Sequence, residues 1–229
     1  YYPSSNGYRT YSQIVSLDAV NGTSASMKQD FAPANTYSGV NITCLVALTD
    51  GRFVASGSYT PYNGSYYPYY APMCIYSSSG SFLNGDFPTG GYYDSVVSGV
   101  GYSTTVYTLA YGQDVSTDNY YARIQKIIPS TLSYTNSALI GIGYTGRHLY
   151  SSVIVGNAAE TAIYVAGYTY DGSNYWTTLI KLTGSSLQTI SWAVQYIGSP
   201  NDMVIDSDEN LYILSDANTI TKFNSSGVI

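Results

Sequence analysis

Charge is the scarcest property of this sequence: charged residues fill 10% of its 229 positions, against ~25% in an ordinary soluble domain. Lys and Arg together number 8, scattered singly, against 14 Asp and Glu, for a net charge of -6. Phosphate recognition needs clustered cations, so nucleic acid and other polyanions are excluded as partners. The longest apolar runs break at Ser, Thr or Gly well short of the ~18 residues a membrane helix requires, so no span is expected. No segment carries a helical period between caps. G-x-S-x-G, the P-loop, H-E-x-x-H and C-x-x-C are all missing, so no catalytic, cofactor or metal motif is present.

Tyrosine is abundant instead, with 28 residues in a chain that is 45% hydrophobic. Such a chain has enough apolar material for a packed core. Its surface must be kept wet by Ser, Thr, Asn and Tyr hydroxyls. Sequons at Asn21, Asn41, Asn63 and Asn224 permit glycosylation, though a Ser/Thr-rich chain contains about this many by chance.

Self-similarity organises the rest. An apolar run, a polar turn and a second run ending in a small residue recur as LVALTDGRFVASGS (45–58), SVVSGVGYSTTVYTLAYG (95–112), SVIVGNAAETAIYVAGYT (152–169) and MVIDSDENLYILSDA (203–217). Phe53, Val106, Ile163 and Leu211 hold one column, and Val54, Tyr107, Tyr164 and Tyr212 the next. A small residue, Gly57, Ala110, Gly167 or Ser215, follows in each. The copies advance by 53, 57 and 48 residues. A third run (PMCIYSS, ARIQKII, TTLIKLT, TITKFNS) and a fourth (SFLNGDF, LSYTNSALIG, LQTISWAVQYIG) follow, giving four short strands a to d per unit.

A repeated four-stranded meander of this length is the sequence form of a propeller blade. The fold expected is therefore all-β, a β-propeller of four-stranded antiparallel blades. IYVAGYT followed by TTLIKL, with an apolar run entering the D-x-D-x-N turn at Asp206, Asp208 and Asn210, resembles the "seven-bladed propeller" repeat family secreted by bacteria and archaea. The resemblance implies a fold and no common activity. The hydroxyl-rich, Lys-poor composition is similar to that of surface and secreted proteins, so an extracellular or surface location is expected.

The whole chain, 1–229, reads as one propeller domain or segment: a half blade at 10–32, blades at 38–90, 92–142 and 147–199, and an incomplete blade at 201–229. In the half blade IVSL aligns with LIKL, so strands c and d are present without a and b. Either these strands close the ring against the last blade, or a neighbouring chain or further sequence supplies what is missing. Strands c and d at one end with c at the other overfill one blade, which favours a segment or an assembly.

Alternating strand direction puts the b–c and d–a loops on one face of a propeller, and those loops hold most of the tyrosines. Tyr66, Tyr67, Tyr69, Tyr70, Tyr121, Tyr170, Tyr175 and Trp176 are the candidate ligand-binding residues, offering stiff contact area with polar tips. The same rings serve equally well as loop packing. Glu160 and Glu209, the only glutamates, lie in equivalent a–b turns and read as solvated turn residues, not a facing glycosidase pair. Asp94 and Asp202 precede strand a and read as caps of loop amides; His148 reads as a loop residue. Asp206, Asp208 and Asn210 imitate half a calcium loop but lack its Gly and closing Glu, so a turn held by local hydrogen bonds is expected. Cys44 and Cys74, on strands a and c, lie two strand spacings of ~4.8 Å apart. That exceeds the Cα reach of a disulfide, ~4.4–6.8 Å.

These observations imply a non-catalytic extracellular or surface module that binds a surface protein or copies of itself through a tyrosine face and open blade edges. The alternatives are a lectin-like module for surface glycans and, third, a propeller hydrolase or lyase acting through Asp94 or Asp202.

Overall fold

A computed structural model describes residues 3–4, 7–8, 16–17, 24–25, 38–61, 73–79, 81–86, 93–114, 119–131, 133–136, 150–170, 172–183, 189–216 and 218–229. Every regular element among them is a β-strand. Two short antiparallel ladders come first, β1 (Pro3–Ser4) on β2 (Gly7–Tyr8) and β3 (Ser16–Leu17) on β4 (Ser24–Ala25).

Four antiparallel meanders follow in chain order. Sheet one joins β5 (Ser38–Ala47), β6 (Phe53–Pro61), β7 (Met73–Tyr76) and β8 (Phe82–Asp86). Sheet two joins β9 (Tyr93–Gly101), β10 (Val106–Asp114), β11 (Asn119–Ile128) and β12 (Ser133–Asn136). Sheet three joins β13 (Tyr150–Gly156), β14 (Ala162–Tyr170), β15 (Tyr175–Thr183) and β16 (Thr189–Ile197). Sheet four has β17 (Pro200–Ile205), β18 (Leu211–Ser215) and β19 (Ile220–Phe223).

The first strands of successive sheets, β5, β9, β13 and β17, lie beside one another. The sheets therefore stack face to face with their first strands together, which is the blade arrangement of a β-propeller. Three apolar layers fill the joints. Between blades one and two lie Val46, Val54, Met73, Ile75, Val96 and Ile127. Between two and three lie Tyr107, Leu109, Ile124, Ile154, Ile163 and Val165. Between three and four lie Val153, Tyr164, Leu179, Met203, Leu211 and Phe223. Each fully buried aliphatic side chain there contributes about 1.5–3 kcal/mol. Both faces of an inner blade are covered, so its strands are apolar on both sides.

The small-residue column has a structural cause. Every a–b hairpin carries a β-bulge at the same place, where Thr43, Val97, Ser152 and Asn201 have no partner in strand b. Gly57, Ala110, Gly167 and Ser215 pair with the residue just before each bulge. A bulge kinks strand a and adds right-handed twist, and a bulky neighbour opposite would resist that kink. In blade one the bulged Thr43 donates its hydroxyl to the Val96 carbonyl of blade two, so the irregularity also ties two blades together.

Close approach between blades one and two depends on glycine. A Cβ at Gly99 would lie 2.5 Å, and one at Gly101 2.8 Å, from a methyl of Val46. Cys44 and Cys74 are buried free thiols on β5 and β7, separated by β6. Burial pushes their pKa up to about 11 and about 12. Both are expected to resist a thiol-reactive probe at neutral pH in the folded protein and to react fully in denaturant; rapid native labelling of either would contradict the placement of β5 or β7.

Candidate binding face and the joints between blades

The two ends of the blade stack differ in chemistry. At the end bearing the b–c loops, five tyrosine rings form a continuous array. Tyr111 of β10 stacks on Tyr150 of β13 with ring centroids 5.6 Å apart, and Tyr150 stacks on Tyr168 of β14 at 5.0 Å. Tyr175 of β15 meets Tyr168 edge-on at 5.6 Å and lies 4.9 Å from Tyr170. The geometry follows from register: Tyr170 pairs with Tyr175 where β14 turns into β15, so both rings project from a hairpin tip. They are 44% and 47% exposed, and Tyr170 donates its hydroxyl to the Gly172 carbonyl at 2.9 Å, fixing its ring.

Beside Tyr175 an open groove of about 300 Å³ runs between blades three and four, lined by Asn174, Tyr175, Ile197, Asp216 and Thr219 among others. The Asp216 carboxylate accepts a long bond from the Ser199 amide, 3.3 Å, and remains exposed. An aromatic ring beside hydroxyls, an amide and a carboxylate suits a polyhydroxylated ligand.

The sequence-derived candidates divide as follows. Tyr170 and Tyr175 come together; Trp176 is half-buried next to them, paired with the exposed Ile197. Tyr121 is fully buried, because it faces inward on β11 with the Arg123 guanidinium 5.3 Å over its ring, and so forms no part of an exposed surface. Tyr66, Tyr67, Tyr69, Tyr70, His148, Asn21 and Asn63 lie outside the described residues. Asn41 falls in β5, and the exposed Asn224 uses its side-chain oxygen to accept the Ser226 and Val228 amides at 3.0 and 3.1 Å. Asp94 and Asp202 lie within strand a, not before it; the Asp202 carboxylate accepts its neighbour's amide at 2.8 Å.

At the opposite end the two turn glutamates meet partners on the preceding blade. Glu160 and Glu209 occupy the same turn position with left-handed backbones, φ 57° and 60°, where blade one has Gly51 at 86°. Neither glutamate is merely solvated. Tyr107 of blade two donates its hydroxyl to Glu160 of blade three at 2.9 Å, and Tyr164 of blade three donates to Glu209 of blade four at 2.9 Å. Each tyrosine also carries a lysine from its cross-strand neighbour: Lys126 lies 5.5 Å from the Tyr107 ring and Lys181 5.2 Å from the Tyr164 ring. Around Glu209 the set is completed by the Asn157 amide at 2.8 Å and Lys181 at 3.7 Å. Blade one has Val54 and Ile75 at these positions, and the facing turn of blade two, Tyr102–Thr105, is shorter and carries no acid. Across the three described joints, the Tyr–Lys pair and the glutamate of the next blade thus occur together or not at all.

Asp206 is consumed by its own turn, accepting the amides of Asp208 and Asn210 at 2.9 and 2.8 Å, the Asn210 side chain at 2.8 Å and the Tyr212 hydroxyl at 3.1 Å. That is the locally bonded turn expected. Among the described residues no three His, Cys, Asp or Glu side chains gather as metal ligands would.

The architecture defines a class, the β-propeller, on the evidence of its own blades. No family model matches the chain, and no curated protein is similar to it in sequence. Solved structures resemble it in outline. The β-propeller domain of Vanderwaltozyma polyspora Nup133 shares 11% identity at a TM-score of 0.41, over 92% of this chain and 64% of that one. A subtype N11 neuraminidase-like protein of A/flat-faced bat/Peru/033/2010 (H18N11) shares 10% at a TM-score of 0.28, over 81% of this chain and 87% of that one. The chain therefore spans under two thirds of the Nup133 propeller.

Asn157 and Tyr164, with Lys181, hold the Glu209 carboxyl below its ordinary range, so its contribution to stability is full above ~4.3 and lost as pH falls through the lowered value. Burial and the bond to Glu209 push Tyr164 up, so its contribution is full below ~10 and lost as pH rises through the raised value. Thermal melting against pH is expected to show a plateau with two falling limbs, the acid one made shallower by Glu209→Gln and the alkaline one by Tyr164→Phe. Limbs unchanged in both variants would remove the contact from the account.

Proposed function

We propose that this chain is a non-catalytic propeller module of an extracellular or surface protein, holding a partner protein or its own copies through its tyrosine-bearing end and its open blade faces. The observation that carries the reading is the five-ring array from Tyr111 to Tyr170. Stacked rings lose little conformational entropy on binding, and the two outermost, Tyr170 and Tyr175, are exposed. The described carboxylates at the turn end support a non-catalytic role, since Glu160, Glu209 and Asp206 are each spent on structural hydrogen bonds. The hydroxyl-rich, charge-poor composition and the resemblance to a secreted propeller repeat family support an extracellular setting.

A second reading, binding of surface glycans, is favoured by one feature, the groove in which the Tyr175 ring faces Asp216, Asn174 and Thr219. Double substitution Tyr170→Ala with Tyr175→Ala, made in a Leu45→Lys, Ile220→Lys background that blocks the exposed outer blade faces, separates the two when tested on immobilised copies of the chain and on a glycan array. Loss of ~30-fold in affinity, the effect of removing an aromatic hot spot of ~2 kcal/mol, is expected on protein; loss confined to the glycan spots favours the second reading. Retained binding on both surfaces, or polysaccharide turnover by the parent chain, would overturn the proposal.

A further inference from the structure

The outer face of blade four repeats, position for position, a surface that the other joints bury. Strand pairing aligns Val204 with Val155 and Val46, Tyr212 with Tyr164 and Tyr107, and Leu214 with Ala166 and Leu109. It likewise aligns Ile220 with Leu179 and Ile124, and Lys222 with Lys181 and Lys126. In blades one to three these positions lie under the next blade. In blade four Val204 is 57% and Ile220 67% exposed, with Leu214 exposed beside them. Blade one shows the converse. Leu45 occupies the position of Ile154 and Met203, which are buried against the preceding blade, yet it is 58% exposed, on the same face as Phe53.

The charged end of the joint identifies what fits. Each tyrosine at these two joints donates to one carboxylate of the next blade, Tyr107 to Glu160 and Tyr164 to Glu209, with Lys181 also 3.7 Å from Glu209. In blade four the carboxylate comes from within, because Asp206 stands where blade three has Asn157 and takes the Tyr212 hydroxyl itself, with Lys222 5.2 Å over the ring. A glutamate arriving from another blade would set like charges side by side. The incoming turn must be uncharged at the left-handed position, and blade one is the described blade that has glycine there, Gly51.

We propose that copies of this chain join head to tail, the outer face of blade four in one copy packing on the Leu45 face of blade one in the next, with the Gly51 turn over Tyr212 and Asp206. This rests on the assembly reading above and names its partner as a second copy. The contact uses different surfaces on the two molecules, so it propagates or closes into a ring instead of stopping at a symmetric dimer.

Light scattering of the intact chain over rising concentration tests this. Growth beyond the monomer is expected. Ile220→Lys blocks the tail and Leu45→Lys the head, so each variant alone stays monomeric while an equal mixture forms dimers through the one head and one tail left open. Both sites are exposed, and unchanged melting of the variants confirms that they fold. Gly51→Glu is expected to weaken association about tenfold, a 1.4 kcal/mol effect, and adding Asp206→Asn, which recreates the surroundings of Glu209, restores it. An intact chain that stays monomeric, a single Lys variant that associates like the parent, or a mixture that stays monomeric overturns the inference. A monomeric chain whose binding still depends on Tyr170 and Tyr175 would overturn the head-to-tail contact alone and leave the binding module standing.

Discussion

A tyrosine hydroxyl from one blade donating to a carboxylate of the next is the contact on which the register of blades two, three and four depends. Apolar layers supply most of the free energy of each joint, but they are non-directional and tolerate sliding. The Tyr107–Glu160 and Tyr164–Glu209 bonds do not. Each is directional, charge-assisted and partly desolvated, so it is made at one register and broken by a shift of an ångström. Around Glu209 the Asn157 amide donates a further hydrogen bond and Lys181, lying over the Tyr164 ring, comes within 3.7 Å of the carboxylate.

The cost of that contact is visible in the backbone. Glutamate at φ near 60° is strained by roughly 1–2 kcal/mol relative to glycine. Where the preceding blade offers Val54 in place of a tyrosine, the facing turn Tyr102–Thr105 is shorter and holds no glutamate, and the strain is absent. Glutamate persists at the strained position only where its carboxylate has a partner in the preceding blade. The bulge in every first strand is the second shared device. It twists strand a at one fixed place, and the tolerance of Gly57, Ala110, Gly167 and Ser215 for the bulge opposite explains why that column stays small while its neighbours vary.

Much of this architecture was legible in the chain itself. The columns beginning at Phe53, Val106, Ile163 and Leu211 correspond to the register of the four hairpins, since apolar alternation and turn length fix a hairpin locally. The D-x-D-x-N turn was also readable, because all its bonds close within six residues. What the sequence concealed lies between blades. Glu160 and Glu209 looked solvated because their partners sit 53 and 45 residues away on another sheet. Yet one signal was present: Tyr107 and Tyr164 share a column, and each is followed one repeat later by a turn glutamate. Tyr121 shows the opposite case: its place near a loop reads as surface, but the inward phase of β11 buries it.

Double-mutant cycles in urea on the two joints test the central claim most directly. Pairing Tyr107→Phe with Glu160→Gln, and Tyr164→Phe with Glu209→Gln, is predicted to give coupling of about 1 kcal/mol within each pair. The crossed pair, Tyr107→Phe with Glu209→Gln, is predicted to be additive. Additivity within both matched pairs, or equal coupling in the crossed pair, would contradict blades held in register by a tyrosine and the carboxylate of the next.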